Sequence, residues 1–283
     1  MNRLPVPPPI VSRLGRAIGL GRSADRASGH ESKHGRVGVD LSTRVGSVAL
    51  CGPVLPASGT AGHGAELAAF IDVGRIGAVV IKSVSADPWG GNPPVRVHQT
   101  PAGMINSVGL QGMGVAAWLT DDLPPLLDAG AKVVASIWGR SVDDYARAAA
   151  LLAGAPAEVV AVEVNISCPN TEAGNELFAH DSTMTREVLA ATESAGRPRW
   201  AKLSPNIGPG LPDIAGAAAE GGAEAVVVAN TWFGLAIDPV TRRPRLGGGA
   251  GGVSGRGIHP LTVRAVHVVR QAHPDLPIVA AGG

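Results

Sequence analysis

Residues 165–170, with the sequence Asn-Ile-Ser-Cys-Pro-Asn, place two side-chain amides, a hydroxyl and a thiol in one short segment. The residues before it, 158–164, are mostly apolar and rich in valine, as is typical of a strand covered on both faces in a parallel sheet. The polar residues therefore arrive at the carboxyl end of a predicted strand, which is where α/β folds keep their active sites. A thiol in that position can react once it is deprotonated, so Cys168 is the candidate catalytic residue; the alternative is a small buried apolar side chain.

Composition narrows the class of protein and of site. The chain has 283 residues, a formal net charge of +1 and only two cysteines, Cys51 and Cys168. The balanced charge does not indicate a nucleic-acid partner, and two isolated cysteines provide neither a disulfide framework nor the paired spacing of a metal site. No apolar run is long enough to span a bilayer, and the first residues lack the apolar core of a secretory signal. We therefore expect a cytoplasmic protein that acts on a small molecule, binds no metal and does not associate with membranes.

The first part of the chain, residues 1–37, has a composition of its own. It is rich in proline and arginine, has few large apolar residues, and contains only Asp25 and Glu31 as acidic groups. Such a composition predicts a basic, disordered tail. The folded domain is then expected to be residues 38–283.

From residue 39 onward, short β-rich runs alternate with alanine-rich helical stretches. Repeated βα units predict a parallel sheet with helices outside it, either doubly wound or closed as a barrel. The predicted strands are residues 53–57, 78–83, 133–137, 159–167, 200–204, 225–231 and 277–283. The predicted helices are residues 64–74, 121–129, 142–152, 182–194, 212–220 and 260–272.

The residues that follow the predicted strands distinguish the two architectures. Each strand ends in a polar residue or a glycine. A doubly wound sheet concentrates its site at one switch point, whereas a barrel uses the loops around its whole rim. The sequence therefore favours a (βα)8 TIM barrel. Only seven strands can be counted before Gly283, so the eighth βα unit is expected to be missing from this chain.

Six segments resemble the dihydroorotate dehydrogenases, in order and with family-like spacing from about Val39 to the last residue. They are residues 52–60 (GPVLPASGT), 91–96 (GNPPVR), 100–111 (TPAGMINSVGLQ), 165–170 (NISCPN), 229–231 (ANT) and 251–255 (GGVSG). Branches of the family that pass electrons to quinone have serine where this chain has Cys168. The chain is thus similar to the cytosolic branch with a cysteine base, and within it to the NAD-linked type.

This resemblance implies an eight-stranded barrel that carries FMN and oxidises dihydroorotate to orotate in pyrimidine synthesis. The reaction removes a proton from C5 and a hydride from C6. The site therefore needs a base, a hydride acceptor, and groups that hold the carboxylate and amides of the substrate. Cys168 would be the base, because lysine and amide donors nearby favour the thiolate.

Two lysines at strand ends and several asparagines fit the same function. By resemblance, Lys82 contacts both the flavin and the orotate carboxylate, and Lys202 lies beside the flavin pyrimidine edge, where its charge stabilises the reduced anion. The alternative for each is a buried stem at a strand end with its ammonium group in solvent. An asparagine offers a donor and an acceptor on one group, as a flat pyrimidinedione requires, although any one alone is more often a turn residue. The implied substrate-binding residues are Lys82, Asn106, Ser107, Val108, Gly109, Leu110, Asn165, Asn170, Asn230 and Thr231.

The glycine-rich segments 251–255 and 282–283 are the candidates for the flavin phosphate, because glycines let backbone N–H groups approach an anion closely. The glycines at residues 247–249, just upstream, are expected to be a flexible linker. Ser136 stands where the family commonly has asparagine after the third strand. The shorter side chain is expected to shorten a polar contact to the flavin or the substrate. The loop at residues 171–178 is expected to close over the substrate. The implied FMN-binding residues are Ala57, Ser58, Gly59, Lys82, Ser83, Ser136, Asn165, Lys202, Ala229, Gly255, Gly282 and Gly283.

The resemblance also implies partners. These are dihydroorotate and orotate, and an electron-transfer subunit that carries FAD and an iron–sulfur cluster; we expect a homo- or hetero-oligomer. Two other interpretations stay open. One is a related FMN barrel that acts on another dihydropyrimidine, and the other is a truncated, non-catalytic chain that only binds a partner.

Overall fold

The computed structural model describes residues 39–167, 169–170 and 176–283, and the predicted tail lies outside them. Most strands of the parallel sheet are rich in the β-branched residues valine and isoleucine, which prefer a pleated, half-buried surface. In chain order the strands are β1 (Thr43–Val45), β2 (Val48–Leu50), β3 (Val79–Val80), β4 (Val97–Thr100), β5 (Gly103–Asn106), β6 (Val133–Ile137), β7 (Val159–Asn165), β8 (Pro169–Asn170), β9 (Glu176–Leu177), β10 (Arg199–Lys202), β11 (Ala225–Val228), β12 (Trp232–Gly234), β13 (Gly251–Ser254) and β14 (Ile278–Ala280).

Helices separate most strands of the parallel sheet. The prediction of one helix at residues 64–74 is wrong, because two short 3-10 helices occupy this segment. Asp72 begins the second of them, and its side chain accepts a hydrogen bond from Gly74 N. Among the described residues, no helix combines the length and apolar character that crossing a bilayer requires. The α-helices are α1 (Val115–Ala117), α2 (Leu123–Asp128), α3 (Val142–Leu152), α4 (Ser182–Ala191), α5 (Leu211–Glu220) and α6 (His259–Ala272). Trp118–Asp122 is π-helical, and the 3-10 helices are Ala65–Ala69, Val73–Arg75, Phe178–His180, Glu193–Ala195, Pro205–Gly210 and Arg256–Ile258.

Among the described residues, six parallel strands form the central sheet, in the order β14-β11-β10-β7-β6-β3. Neighbours in the sheet are successive βα units of the chain. The order runs in one direction across the sheet, without the reversal that a doubly wound fold shows at its switch point. A mixed α/β fold with a parallel sheet is therefore confirmed, and six of the seven predicted strands belong to it.

The prediction of a strand at residues 53–57 is wrong. Pro53 and Pro56 have no backbone N–H to donate to a neighbouring strand, and proline is confined to edges and irregular positions in sheets. Val54 O does accept a hydrogen bond from Gly77 N at 3.0 Å, but the segment is an irregular connection. It leads to Ser58 and Gly59, which belong to the site described below.

Both faces of the parallel sheet are covered by apolar residues. On one face the sheet packs against the helices, with Tyr145 of α3 and Leu189 of α4 fully buried. On the other face, the hairpin of β1 and β2 packs Val48 and Leu50 against Trp200 of β10. Successive side chains of a strand point to opposite faces, so each strand contributes to both cores. The sheet is thereby fixed in place, and its carboxyl edge can hold side chains rigidly.

A second, antiparallel sheet contains segments that the sequence analysis treated as loops. Its order is β12-β13-β5-β4. The glycine-rich segment at 251–255 is mostly strand β13, and a Cβ at Gly252 would collide with the side chain of Thr231, while one at Gly251 would collide with Asn106 O. These two glycines are explained by close packing within the protein rather than by an anion.

Candidate active site

A cavity of about 410 Å³ opens at the carboxyl ends of the parallel strands. Lys82 follows β3, Asn165 and Lys202 end β7 and β10, and Asn230 follows β11, so four strand ends meet at its wall. The end of β5 and the loop after it supply another part of the wall. The volume is typical of cofactor and substrate pockets, which occupy roughly 300–1,000 Å³. The predicted site residues that line the cavity are Ser58, Gly59, Lys82, Ser83, Asn106, Ser107, Val108, Gly109, Leu110, Asn165, Lys202, Asn230 and Thr231.

Several other predicted site residues are described but do not line this cavity. Ala57 O accepts hydrogen bonds from Thr60 N and Thr60 Oγ1, at 3.0 and 2.6 Å, in the turn that contains Ser58 and Gly59. Ala229 is buried, and its N–H donates to Ala281 O at 3.1 Å. Ser136 is fully buried, and Gly255, Gly282 and Gly283 lie together elsewhere, as described below.

Two predicted residues and the predicted lid fall wholly or partly outside the described residues. Cys168 and residues 171–175 of the lid are outside them. The backbone of Asn170 belongs to β8, which pairs antiparallel with β9. The role of Cys168 therefore stays a prediction from sequence.

Asn165 joins three parts of the site through its side-chain amide. Its Nδ2 donates to Ser83 Oγ at 3.2 Å, and its Oδ1 accepts from Asn230 Nδ2 and from Ser167 N, both at 3.3 Å. Its backbone O accepts from the hydroxyl of Tyr145 at 2.7 Å, which ties the strand end to α3. These bonds use both the donor and the acceptor of the amide, so they hold it in one orientation at the cavity wall.

A row of hydroxyl groups leads from the cavity to a buried carboxylate. Ser83 Oγ lies 3.3 Å from Ser58 Oγ and 2.8 Å from Ser136 Oγ. Ser136 Oγ donates to Glu163 Oε1 at 2.8 Å, and the same carboxylate oxygen lies 3.5 Å from Lys202 Nζ. Both charged side chains are almost completely buried. Their charges act across a low-dielectric environment, where electrostatic interactions are stronger than at the surface.

The loop that contributes residues 106–110 is held by Arg96. Its Nε donates to Asn92 O at 2.6 Å, its Nη2 donates to Gly90 O at 2.9 Å, and its Nη1 donates to Gln111 Oε1. The planar guanidinium thus bridges two loop segments that flank the cavity wall. A lysine at this position could not reproduce the fork of donors.

The turn at Gly109 and Leu110 has a left-handed backbone. Gly109 has φ +72°, and a Cβ there would lie 2.6 Å from Asn92 N. Leu110 has φ +61°, which is uncommon for a residue with a side chain and is found where surrounding structure imposes it. Trp89 Nε1 donates to Gly109 O at 2.9 Å and helps to fix the turn. The conformation of this loop is therefore determined by its neighbours and not by its own preference.

Three predicted glycines come together at the amino end of α6. Gly255 directly precedes the 3-10 helix that leads into α6. A Cβ at Gly282 would lie 3.0 Å from Ile258 Cδ1, and one at Gly283 would lie 2.6 Å from His259 Cα. The three glycines have φ of +101°, +109° and +110°. The first turn of a helix offers unbonded N–H groups and the positive end of the helix dipole, so this position suits a phosphate group.

A second cavity, of about 570 Å³, adjoins the first and shares Gly59, Lys82 and Val108 with it. His63 lines it, and its Nε2 is buried without a hydrogen-bond partner among the described residues. Burial lowers the pKa of His63 below its ordinary value, the charge of Lys82 acts in the same direction, and Asp122 opposes them. His63 is therefore neutral at pH 7.

Glu163, Arg96, Ser167 and His63 are not among the predicted site residues. A signal for Glu163 was present, because it lies two residues before Asn165 in a predicted strand, and such residues share a face. Ser167 lines the cavity and was quoted only as part of a motif. Arg96 was likewise quoted only as part of the segment 91–96, and for His63 the sequence carries no comparable signal, because its contacts depend on how loops fold back.

Comparison with known proteins identifies one family. The family model described as dihydroorotate dehydrogenase matches residues 40–283. The chain is 45% identical over 246 residues to the dihydroorotate dehydrogenase B (NAD(+)) catalytic subunit of Desulforudis audaxviator. The aligned region covers 87% of this chain and 79% of that protein. It is 40% identical to the protein of the same name from Alkaliphilus oremlandii, over 86% of this chain and 80% of that protein. It is 41% identical to dihydroorotate dehydrogenase A (fumarate) of Lactiplantibacillus plantarum, again over 86% and 80%.

Proposed function

Because the chain belongs to the dihydroorotate dehydrogenase family, we propose that it oxidises dihydroorotate to orotate in pyrimidine biosynthesis. The enzyme is an oxidoreductase that acts on a CH–CH bond. The observation that carries the proposal is the cavity where Lys82, Asn165 and Lys202 meet at the carboxyl ends of parallel strands. Active sites of parallel α/β folds form at that edge. The sequential strand order further supports our proposal that residues 38–283 are built as a TIM barrel.

FMN is the proposed cofactor, and several features fit it. Gly282 and Gly283 lie beside Ile258 and His259 at the amino end of α6, where the N–H groups and the dipole of the first turn favour a phosphate. Lys82 and Lys202 bring positive charge to the cavity, which favours a cofactor that becomes anionic when reduced. When bound, FMN would accept the hydride from C6 of the substrate. Ser136 does not line the cavity, so it would affect bound FMN only through its hydrogen bond with Ser83. The other residues proposed to hold it are Ala57, Ser58, Gly59, Lys82, Ser83, Asn165, Lys202, Ala229, Gly255, Gly282 and Gly283.

The rest of the cavity suits the substrate. The Lys82 ammonium is a charged donor for the carboxylate, and bonds of this kind are stronger than those between neutral groups. Asn106 and Asn230 bring amide groups that can match the donors and acceptors of the dihydropyrimidine ring. The walls fix these groups, since Asn230 is hydrogen bonded to Asn165 and Asn106 Nδ2 donates to Gly252 O at 3.2 Å. These groups would thus orient the substrate before reaction. The other residues proposed to bind it are Ser107, Val108, Gly109, Leu110, Asn170 and Thr231.

Cys168 is the proposed base. It directly follows Ser167, which lines the cavity. A thiolate in cationic and amide-rich surroundings can take the C5 proton of dihydroorotate. The electrons of that C–H bond then form the C5–C6 double bond of orotate.

Two kinds of electron acceptor occur in the names of the relatives, NAD(+) and fumarate. We propose the NAD-linked type, supported by the relatives named as catalytic subunits, a term that implies a second subunit. That subunit would carry FAD and an iron–sulfur cluster, and the assembly would be an oligomer in the cytoplasm.

Oxidation of dihydroorotate with an artificial dye acceptor tests the proposed function without the partner subunit. We expect turnover of dihydroorotate and no comparable turnover of dihydrouracil, which has the same ring without the carboxylate that Lys82 would bind. Preference for dihydrouracil would support the other dihydropyrimidine interpretation. Absence of turnover for both, in a protein reconstituted with FMN, would support the non-catalytic one. The family membership of the chain favours neither alternative.

Replacing Arg96 by alanine should raise the KM for dihydroorotate about tenfold, because hydrogen bonds from a charged donor contribute about 1.5–3 kcal/mol and the loop at residues 106–110 would lose its brace. The effect on kcat should be smaller, since Arg96 does not line the cavity. Steady-state kinetics with the dye acceptor measure both. Arg264→Ala, on the exposed side of α6, is the matched control, and an equal KM in the two variants would contradict the role of Arg96.

A further inference from the structure

Glu163 lies below the cavity and does not line it, yet it contacts a residue that does. Its strand β7 ends at Asn165, so Glu163 and Asn165 point to the same face of the sheet. Glu163 Oε1 is 3.5 Å from Lys202 Nζ, and the two side chains are 3% and 6% exposed. Ser136 Oγ donates to the same oxygen at 2.8 Å. The carboxylate is thus held from one side by a hydroxyl and faces a lysine of the cavity wall.

Stability alone does not explain a charge pair in this position. Removing two charges from water is costly, and a buried ion pair is often no more stabilising than apolar residues of the same volume. The surrounding inner face of the sheet is apolar, with Ala161 of the same strand and Trp200 of the same strand as Lys202. Apolar packing would therefore suffice for the fold at this place. A carboxylate here has one evident consequence for the cavity, which is to offset part of the positive charge that Lys202 presents to it.

We propose that Glu163 is a positioning residue that holds the Lys202 ammonium at the cavity wall and keeps the reduction potential of the bound flavin lower than Lys202 alone would set it. The inference rests on the proposed function, since it requires FMN in this cavity. A positive charge beside a flavin stabilises the reduced anion and raises the potential, and a nearby negative charge has the opposite effect. Among the described residues, Glu163 is the only acidic partner of Lys202 in an ion pair. The negative charge of Glu163 therefore offsets part of the positive charge of Lys202 at the flavin.

The test is the midpoint potential of the bound flavin, measured by equilibration with reference dyes. Glu163→Gln removes the charge and keeps the shape and the acceptor for Ser136 Oγ. We expect the ratio of reduced to oxidised flavin at a fixed potential to rise at least tenfold, which is about 30 mV for a two-electron couple. Glu163→Asp retains the charge but draws it back by one methylene, so its shift should have the same sign and be smaller. Glu158→Gln, at an exposed position just before β7, is the matched control and should leave the potential unchanged.

A double-mutant cycle separates the proposed role from a purely structural one. Lys202→Met should lower the potential, and adding Glu163→Gln to Lys202→Met should raise it again, because the negative charge of Glu163 acts on the flavin whether or not Lys202 is present. A structural role would lower the melting temperature and the flavin content of the Glu163 variants while the flavin that remains keeps the wild-type potential. That result would overturn the inference, as would the absence of a rise in both Glu163→Gln and Glu163→Asp.

Failure of the inference and failure of the proposed function have different signatures. The dye measurement needs bound flavin but no dihydroorotate. A wild-type protein that cannot be loaded with FMN would remove the basis of both. A wild-type protein that binds FMN and is reduced by dihydroorotate, with Glu163 variants at the wild-type potential, would overturn only the role of Glu163.

Discussion

Replacing Cys168 by alanine should slow the reduction of the flavin by dihydroorotate by about two to four orders of magnitude, which is the usual contribution of a general base. FMN content and orotate affinity should stay near those of the wild type, because neither depends on the thiol. Cys168→Ser should retain some activity and shift the optimum to higher pH, because a hydroxyl loses its proton less readily than a thiol. Anaerobic stopped-flow absorbance of the flavin measures the rate directly.

The other cysteine provides the control for this prediction. Cys51 is exposed, its Sγ donates to Ile76 O at 3.0 Å, and neither residue lines the cavity. Cys51→Ala should leave the rate of flavin reduction unchanged. Near-native reduction in Cys168→Ala, with orotate binding intact, would mean that another residue is the base.

Replacing Lys82 by methionine should weaken orotate binding and lower kcat/KM for dihydroorotate by about 10- to 150-fold. This range corresponds to about 1.5–3 kcal/mol for a hydrogen bond to a charged group, at about 1.4 kcal/mol per factor of ten. Methionine retains an apolar stem of similar length, so the loss reports the ammonium group. A methyl group at Gly59 would lie 3.5 Å from Lys82 Cδ and 3.8 Å from its Nζ, which shows how closely the side chain packs along the wall. Orotate titration of the oxidised flavin and steady-state kinetics measure the two quantities.

Lys132 is the matched control for Lys82. Its Nζ donates to Ala49 O at 3.1 Å, and the contact is exposed and does not involve the cavity. Lys132→Met should leave orotate affinity and kcat/KM unchanged. If Lys82→Met binds orotate as tightly as Lys132→Met does, the carboxylate is held by another group.

Sequence patterns predicted the parallel sheet and the polar residues at its strand ends. Strands buried on both faces are mostly apolar runs, and β7 is one of them despite Glu163. Since the carboxyl ends of parallel strands meet at one edge, Lys82, Asn165 and Lys202 could be expected to lie close together, and all three line one cavity. Local periodicity was sufficient because each strand of the parallel sheet pairs with the strand of the next βα unit along the chain.

The features that sequence patterns missed depend on contacts between distant segments. Gly252 of β13 pairs with Asn106 of β5, 146 residues earlier, and no local pattern indicates that pairing. The loop residue Arg96 is important for its hydrogen bonds to other loops, which only the folded chain reveals. Residues 53–57 were predicted as a strand from their position in the repeat, but their prolines exclude ladder hydrogen bonds. The strand pattern places Glu163 on the same face as Asn165, but it does not indicate the ion pair with Lys202, because Lys202 comes from a different strand.

The most direct test of the account is to mix the FMN-loaded protein anaerobically with one equivalent of dihydroorotate and follow the flavin spectrum and the orotate formed. We expect the visible absorbance of the flavin to bleach and about one orotate to appear per flavin reduced, because the cavity would hold the substrate carboxylate at Lys82 and the proton acceptor at Cys168 together with the cofactor. A flavin that stays oxidised with excess dihydroorotate would contradict the proposed reaction. A protein that remains colourless after reconstitution with FMN would contradict the proposed cofactor as well.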